Sequence, residues 1–186
     1  MRLFVAVDLP PEVHDQLDRL EVPMGGARWL ADEQRHLTVR FIGEVDGGTF
    51  HEIADLLAEV GGAPFELRLK GLGHFPPRGV PQTLWVGVEP SAELNRMKAA
   101  VDRALREAGI GADPRRYLPH VTVARLRHPP ERERFGSYLA QHSLFRSTPF
   151  VVQGFNLYSS ILHPDGARYA IEARYDLMAV DHDEAF

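Results

Sequence analysis

Short strand-like runs alternate with stretches of helical spacing along nearly the whole chain. Residues 2–8 alternate and read as a strand. Pro10 and Pro11 then open a helix whose apolar stripe is Val13, Leu17 and Leu20. Gly25 and Gly26 break it. A short strand is expected over 27–30 and a longer one over 35–43. Residues 49–60 carry Phe50, Ile53, Ala54 and Leu57 at helical spacing. Residues 65–69 alternate as a strand, and 71–81 read as a Gly/Pro-rich loop before a strand over 83–88. The clearest helix spans 91–108, capped by Ser91 and ended by Gly109, with Leu94, Met97, Val101, Ala104, Leu105 and Ala108 on one face. Strands over 119–126, 149–158 and 168–176 follow, with a helix over 131–142 after the first.

Two of these strands carry nearly the same string. His36-Leu37-Thr38-Val39-Arg40-Phe41 and His120-Val121-Thr122-Val123-Ala124-Arg125 are each His-x-Thr within an apolar, β-branched run. The surrounding elements repeat as well. Phe65 lies 29 residues after His36, and Phe150 lies 30 after His120. Gly71 and Gly154 follow at 35 and 34, and Thr83 and Arg168 at 47 and 48. The chain is therefore expected to be α+β and bilobal. Two antiparallel sheets related by a pseudo-two-fold would carry helices on their outer faces and leave a cleft between them. The strand 83–88 pairs by chain order with 168–173. Residues 1–177 read as one bilobal domain, with strand 2–8 joining a sheet made by later strands. Residues 178–186 read as an acidic, frayed tail.

Alternation puts His36 with Thr38, and His120 with Thr122, on the polar faces of their strands. Two facing histidines suit general acid–base chemistry at a phosphate, because imidazole titrates near neutrality. At a five-membered cyclic phosphate, one would deprotonate an attacking water. The other, in line and opposite, would protonate the departing ribose oxygen. The threonine hydroxyls would donate to the non-bridging oxygens. This scheme needs no metal and no cofactor. The same alternation sends Phe41 and Arg125 to the opposite face. Phe41 is read as core packing or as a base-stacking ring. An unpaired arginine is costly among Val121, Val123 and Leu126, so the strand is expected to bulge or end there and turn Arg125 toward phosphate or base. Arg40 would point into the cleft, toward a substrate phosphate or simply toward solvent.

Composition narrows the picture. Among 186 residues, 44% are hydrophobic and 25% charged, which fits a soluble globular protein. There is no cysteine, so thiol nucleophiles, thiolate metal sites and disulfides are excluded. The first residues lack the apolar core of a secretion signal. No run approaches the roughly 18 apolar residues of a membrane span, so cytoplasmic residence is the default. The net charge of −5 does not advertise nucleic-acid binding over the whole surface. All the basic side chains except Lys70 and Lys98 are arginine, whose planar fork suits phosphate.

With these residues in place, the chain resembles the two-histidine phosphoesterase superfamily, and more closely the bacterial RNA 2′,3′-cyclic phosphodiesterases, also named 2′-5′ RNA ligases. The family pattern is His-x-Thr-x-x-Phe followed by His-x-Thr-x-x-Arg. The likeness extends to Arg2–Pro10, Phe41–Glu44, the Gly73-His74-Phe75-Pro76 loop, Leu84–Val88, Pro119 before His120, and Leu157-Tyr158-Ser159. It implies hydrolysis of a 2′,3′-cyclic phosphate to a 2′-phosphomonoester, with His36 as proton donor and His120 as acceptor. Residue order alone leaves donor and acceptor open, because the two halves are nearly symmetric.

Tyr158 and Phe75 occupy nearly equivalent repeat positions and are candidates to wall the pocket, with core packing favoured for Phe75. Arg115 and Arg116 steer RNA or form a solvated pair. His14, His51, His128, His142 and His182 in the tail read as surface residues; His74 and His163 rim the cleft or are structural, with the structural reading favoured. The expected partner is an RNA end bearing a cyclic phosphate, or a small cyclic nucleotide. No membrane partner is expected, and monomer is the default. Two other readings stand beside this one. The first is an RNA-end binding module, or a 2′-5′ ligase with little hydrolytic turnover. The second is a metal hydrolase, for which no third ligand is spaced near His36 and His120.

Overall fold

The structure is a computed structural model, and it describes residues 1–178. The expected acidic tail falls almost entirely on 179–186, outside the described residues. The elements follow the order β1 (Arg2–Val7), α1 (Pro11–Asp18), β2 (Ala27–Trp29), a 3-10 turn (Asp32–Gln34), β3 (Leu37–Glu44), α2 (Gly47–Ala58), β4 (Phe65–Leu67), β5 (Leu69–Phe75) and β6 (Thr83–Val88). The second half holds α3 (Ala92–Glu107), β7 (His120–Leu126), α4 (Arg132–Gln141), β8 (Phe150–Val152), β9 (Gly154–His163) and β10 (Gly166–Asp176). Helix starts follow local chemistry. Ser91 accepts a hydrogen bond from the Leu94 amide, and Asp46 accepts one from the Thr49 amide at the start of α2.

All pairings are antiparallel. The strand order is β10-β9-β1-β3-β7-β6-β5, with β2 added to β7 and a separate β4–β8 pair. The central junction is thin: β3 and β7 meet only at Leu37 and Val121. The two expected sheets are thus two halves, β10-β9-β1-β3 and β5-β6-β7-β2, hinged along one strand pair. Strand β1 does join later strands, sitting between β3 and β9.

The internal symmetry differs from the one chain order suggests. β6 corresponds to β1 and not to β10. Each flanks a motif strand on the side away from the central junction, and their registers match residue for residue. Phe4, Val5, Ala6 and Val7 face Phe41, Arg40, Thr38 and Leu37. Thr83, Leu84, Trp85 and Val86 face Arg125, Ala124, Thr122 and Val121. Each ladder skips the residue after the threonine, Val39 in one half and Val123 in the other. β10 is an outer strand and has no such partner.

Segregation of the two sheet faces places the core. Leu3, Val5 and Val7 bury against helix residues such as Val13, Ile53, Leu57 and Leu94. Phe4 and Ala6 alternate to the other face, where they form a small cluster with Tyr158. The 71–81 loop is shorter than expected, because β5 runs on to Phe75. Gly71, at φ +73°, sits where the β5–β6 register slips, so the glycine marks a bulge and not a strand end.

Gly154 has a stricter role. A Cβ there would collide with the Tyr175 backbone carbonyl across the β9–β10 ladder. Gly154→Ala is expected to cost about 1–3 kcal/mol of stability, read as a lower urea midpoint at unchanged slope.

Candidate functional site

The paired bulges decide which motif side chains meet. In β7, Val121, Val123, Ala124 and Leu126 are buried on the helix side, while Thr122 and Arg125 face the cleft. In β3, Leu37, Val39 and Arg40 are buried, while Thr38 and Phe41 face the cleft. His-x-Thr-x-x-Phe and His-x-Thr-x-x-Arg therefore present their first, third and sixth residues together. A cavity of about 400 Å³ is lined by His36, Thr38, Phe41, His120, Thr122 and Arg125. The irregularity expected near Arg125 is there. Its guanidinium reaches the Thr83 hydroxyl at 3.4 Å. Phe41, which plain alternation assigns to the opposite face, stands 53% exposed at the cleft edge, 5.9 Å from Phe4.

The bulge that turns Phe41 inward turns Arg40 away. Arg40 is 7% exposed. Its guanidinium donates to Asp102 at 3.0 Å, to the Phe41 carbonyl at 3.1 Å and to the Gly111 carbonyl. This corrects the expectation of an arginine in the catalytic cavity, which Arg40 does not line, because its donors are committed to tying β3 to α3 and the loop beyond it. Tyr158 is also displaced from its expected role. It is 9% exposed, stacks behind Phe4, and donates its hydroxyl to Asp8. It supports the wall of the site from behind.

Each histidine has its own aromatic setting. His36, just before β3, stacks on Phe4 at 4.9 Å and lies 5.1 Å from Tyr169 and 5.8 Å from Tyr158. Burial among these rings pushes its pKa down to about 4, opposed by the Asp8 carboxylate. Asp8 is held by Asn156 at 2.8 Å as well as by Tyr158. His120 opens β7 and lies 5.0 Å from Phe75 and 5.9 Å from Trp85. Its Nδ1 is 2.7 Å from the Leu118 carbonyl. A carbonyl only accepts, so Nδ1 carries the proton and Nε2 holds the lone pair of the neutral ring. Burial lowers the His120 pKa, the Leu118 bond raises it and Arg125 lowers it further.

Sequence reasoning does not single out Phe4, Tyr169 or Trp85. Only the pairing of distant strands brings them to the histidines, although the alternation in β1 does put Phe4 opposite Leu3 and Val5. Of the remaining histidines, His14 is less exposed than expected. It packs near Asp32, which with Asp18 pairs the buried Arg35 directly before His36.

The lowered His36 pKa has a consequence for stability. Unfolded, the residue titrates near 6.5; folded, near 4. Between these values the unfolded chain binds more protons, so this group costs nothing above pH 6.5 and destabilises the fold as pH falls toward 4. The full effect is about 3 kcal/mol. His36→Gln is expected to lose that much less stability than the parent between pH 7 and pH 4, measured by urea unfolding.

Cleft electrostatics favour anions. Among the described residues, Arg2, Arg115 and Arg125 line the cavity and no Asp or Glu does, in a chain of net charge −5. Among the described residues, no group of three or more His, Asp or Glu is placed to hold a metal ion. No described helix is long and apolar enough to cross a membrane.

Comparison with known proteins gives a consistent picture. The sequence pattern of the 2′-5′ RNA ligase superfamily matches residues 9–161. An RNA 2′,3′-cyclic phosphodiesterase of Thermotoga maritima is 32% identical over 177 residues, 92% of each chain. One from Archaeoglobus fulgidus is 30% identical, covering 91% of this chain and 96% of its own. The crystal structure of TT0787 from Thermus thermophilus has a TM-score of 0.77 at 28% identity, covering 95% of this chain and 98% of that one. E. coli LigT complexed with 3′-AMP shares the fold, at TM-score 0.77 and 24% identity over 96% of this chain and 98% of that one.

Proposed function

The chain belongs to the 2′-5′ RNA ligase superfamily, and on that premise we propose that it hydrolyses 2′,3′-cyclic phosphate ends of RNA to 2′-phosphomonoesters, using two histidines and no metal. The observation that carries this reading is the paired bulge. It gives two walls of one cleft the same array: an imidazole, a hydroxyl two residues on, and a ring or guanidinium three further. A cyclic phosphate between such walls has a proton-transfer group on either side, as in-line displacement requires.

His120 acts as the base. Its Nδ1–H is committed to Leu118, so Nε2 takes a proton from water as the water oxygen bonds to phosphorus. The P–O3′ bond breaks on the far side, and His36 gives its proton to the departing O3′. The phosphate remains on O2′. An acid with a pKa of about 4 is neutral at pH 7 in the empty cleft. The phosphodiester anion favours the charged imidazole, so substrate and proton bind together. Thr38 and Thr122 donate to the non-bridging oxygens, where charge gathers. Phe41 offers a stacking face to the base, and Arg125 a fork to phosphate or base. Residues 1–177 serve as one unit, since each half supplies one wall.

The test is an RNA oligomer ending in a 2′,3′-cyclic phosphate, incubated with the protein in excess EDTA and analysed for the position of the product phosphate. Conversion to the 2′-phosphate is expected. Binding without conversion would favour the end-recognition reading, and conversion abolished by EDTA would favour a metal hydrolase.

A further inference from the structure

A second, larger cavity of about 960 Å³ adjoins the catalytic cleft. Thr38, Phe41, Arg115 and His120 line both, so the two spaces are continuous. The larger one lies between β3, α3 and the loop leading to His120. Its charge is unusual for this chain. Arg40, Lys98, Arg106, Arg115 and Arg116 line it against two carboxylates, Asp102 and Asp113. Asp102 already pairs with Arg40 and with Lys98. Asp113 holds Arg115 through its backbone amide and both sides of its guanidinium, at 3.0–3.1 Å. That leaves Arg106 and Arg116 exposed, with no carboxylate partner among the described residues.

The same cavity gathers exposed apolar surface. Leu118 is 47% exposed and Phe41 53%, and Phe75 lies beside them. Arg106 spends only its Nε, on the Asp102 backbone carbonyl at 3.4 Å. Cations free of carboxylates around exposed rings and aliphatic side chains are the chemistry of a single-stranded nucleic-acid groove, where bases pack on the apolar faces and cations track the backbone.

We propose that this cavity binds a second nucleotide of the RNA, so that the enzyme selects an oligonucleotide end over a lone cyclic nucleotide. The inference rests on the cyclic phosphodiesterase reading and goes further by naming the length of chain that is read. The phosphate joining the two nucleotides is the charge a mononucleotide lacks, and Arg106 and Arg116 are the side chains left to meet it.

The test compares kcat/KM for a nucleoside 2′,3′-cyclic phosphate and for a dinucleotide ending in one. The wild type is expected to favour the dinucleotide by roughly tenfold or more, the scale of a charge-assisted contact together with base packing. The preference should narrow as salt is raised. The double charge reversal Arg106→Glu with Arg116→Glu is expected to erase it through KM while leaving the mononucleotide kcat unchanged. That unchanged rate also reports an intact fold. Equal rates on both substrates in the wild type, or a preference that survives the double reversal, would overturn the proposal. If the wild type turns over neither substrate, the activity reading itself fails and takes this inference with it.

Discussion

Replacing either His36 or His120 with alanine is expected to lower kcat on cyclic-phosphate RNA by about 10²–10⁴-fold, the usual contribution of one positioned acid or base. The double replacement should cost little more than the worse single one, because the two proton transfers serve one displacement. The two variants can be told apart by leaving group. O3′ is a poor leaving group without a proton, whereas a nitrophenolate departs unprotonated. On an aryl phosphodiester, His36→Ala should recover most of its lost rate and His120→Ala should not, since the attacking water still needs its base. The reverse pattern would exchange the roles and leave the two-histidine scheme intact. Full activity in both alanine variants would remove the scheme altogether. Folding is controlled by thermal midpoint, because His36→Ala opens space among Phe4, Tyr158 and Tyr169.

Much of this site was legible in the sequence because its chemistry lies in two local strings. His-x-Thr on an alternating strand assigns a common face from spacing alone, and the repeat sets the two strings in equivalent places. What alternation could not supply was the bulge. The strand period of two holds only while the partner strand keeps step, and both β1 and β6 skip one residue opposite their motif strands. For Arg125, the cost of burying an arginine among valines revealed the irregularity in advance. For Arg40 there was no such clue, because an arginine is acceptable in a cleft. Its partner Asp102 is 62 residues away, and nothing local announces the pair. The matching of β6 with β10 failed for a related reason. Chain order counts elements, whereas the pseudo-two-fold follows sheet order, and the N-terminal strand takes the place that chain order gives to the last. The aromatic setting of His36 was hidden in the same way, since Phe4, Tyr158 and Tyr169 come from three strands.

Thr38→Val and Thr122→Val are each expected to lower kcat by roughly 10²–10³-fold, the cost of removing one donor aimed at developing negative charge. Valine keeps the volume and β-branching that suit these strands, so the fold should be unaffected. KM should change less than kcat, because the non-bridging oxygens carry more charge in the transition state than in the bound ester. Thr→Ser at either position should retain most of the activity, which separates a hydroxyl donor from a methyl contact. The near-identity of the two walls makes the comparison between the singles informative. Thr38 and Thr122 occupy matching positions beside matching bulges, so equivalent roles predict nearly equal losses. A large loss at one and a small loss at the other would mean that the phosphate sits against one wall. The side chains at the sixth motif position, Phe41 on one wall and Arg125 on the other, are then the first to examine, because that is where the two walls differ most in chemistry.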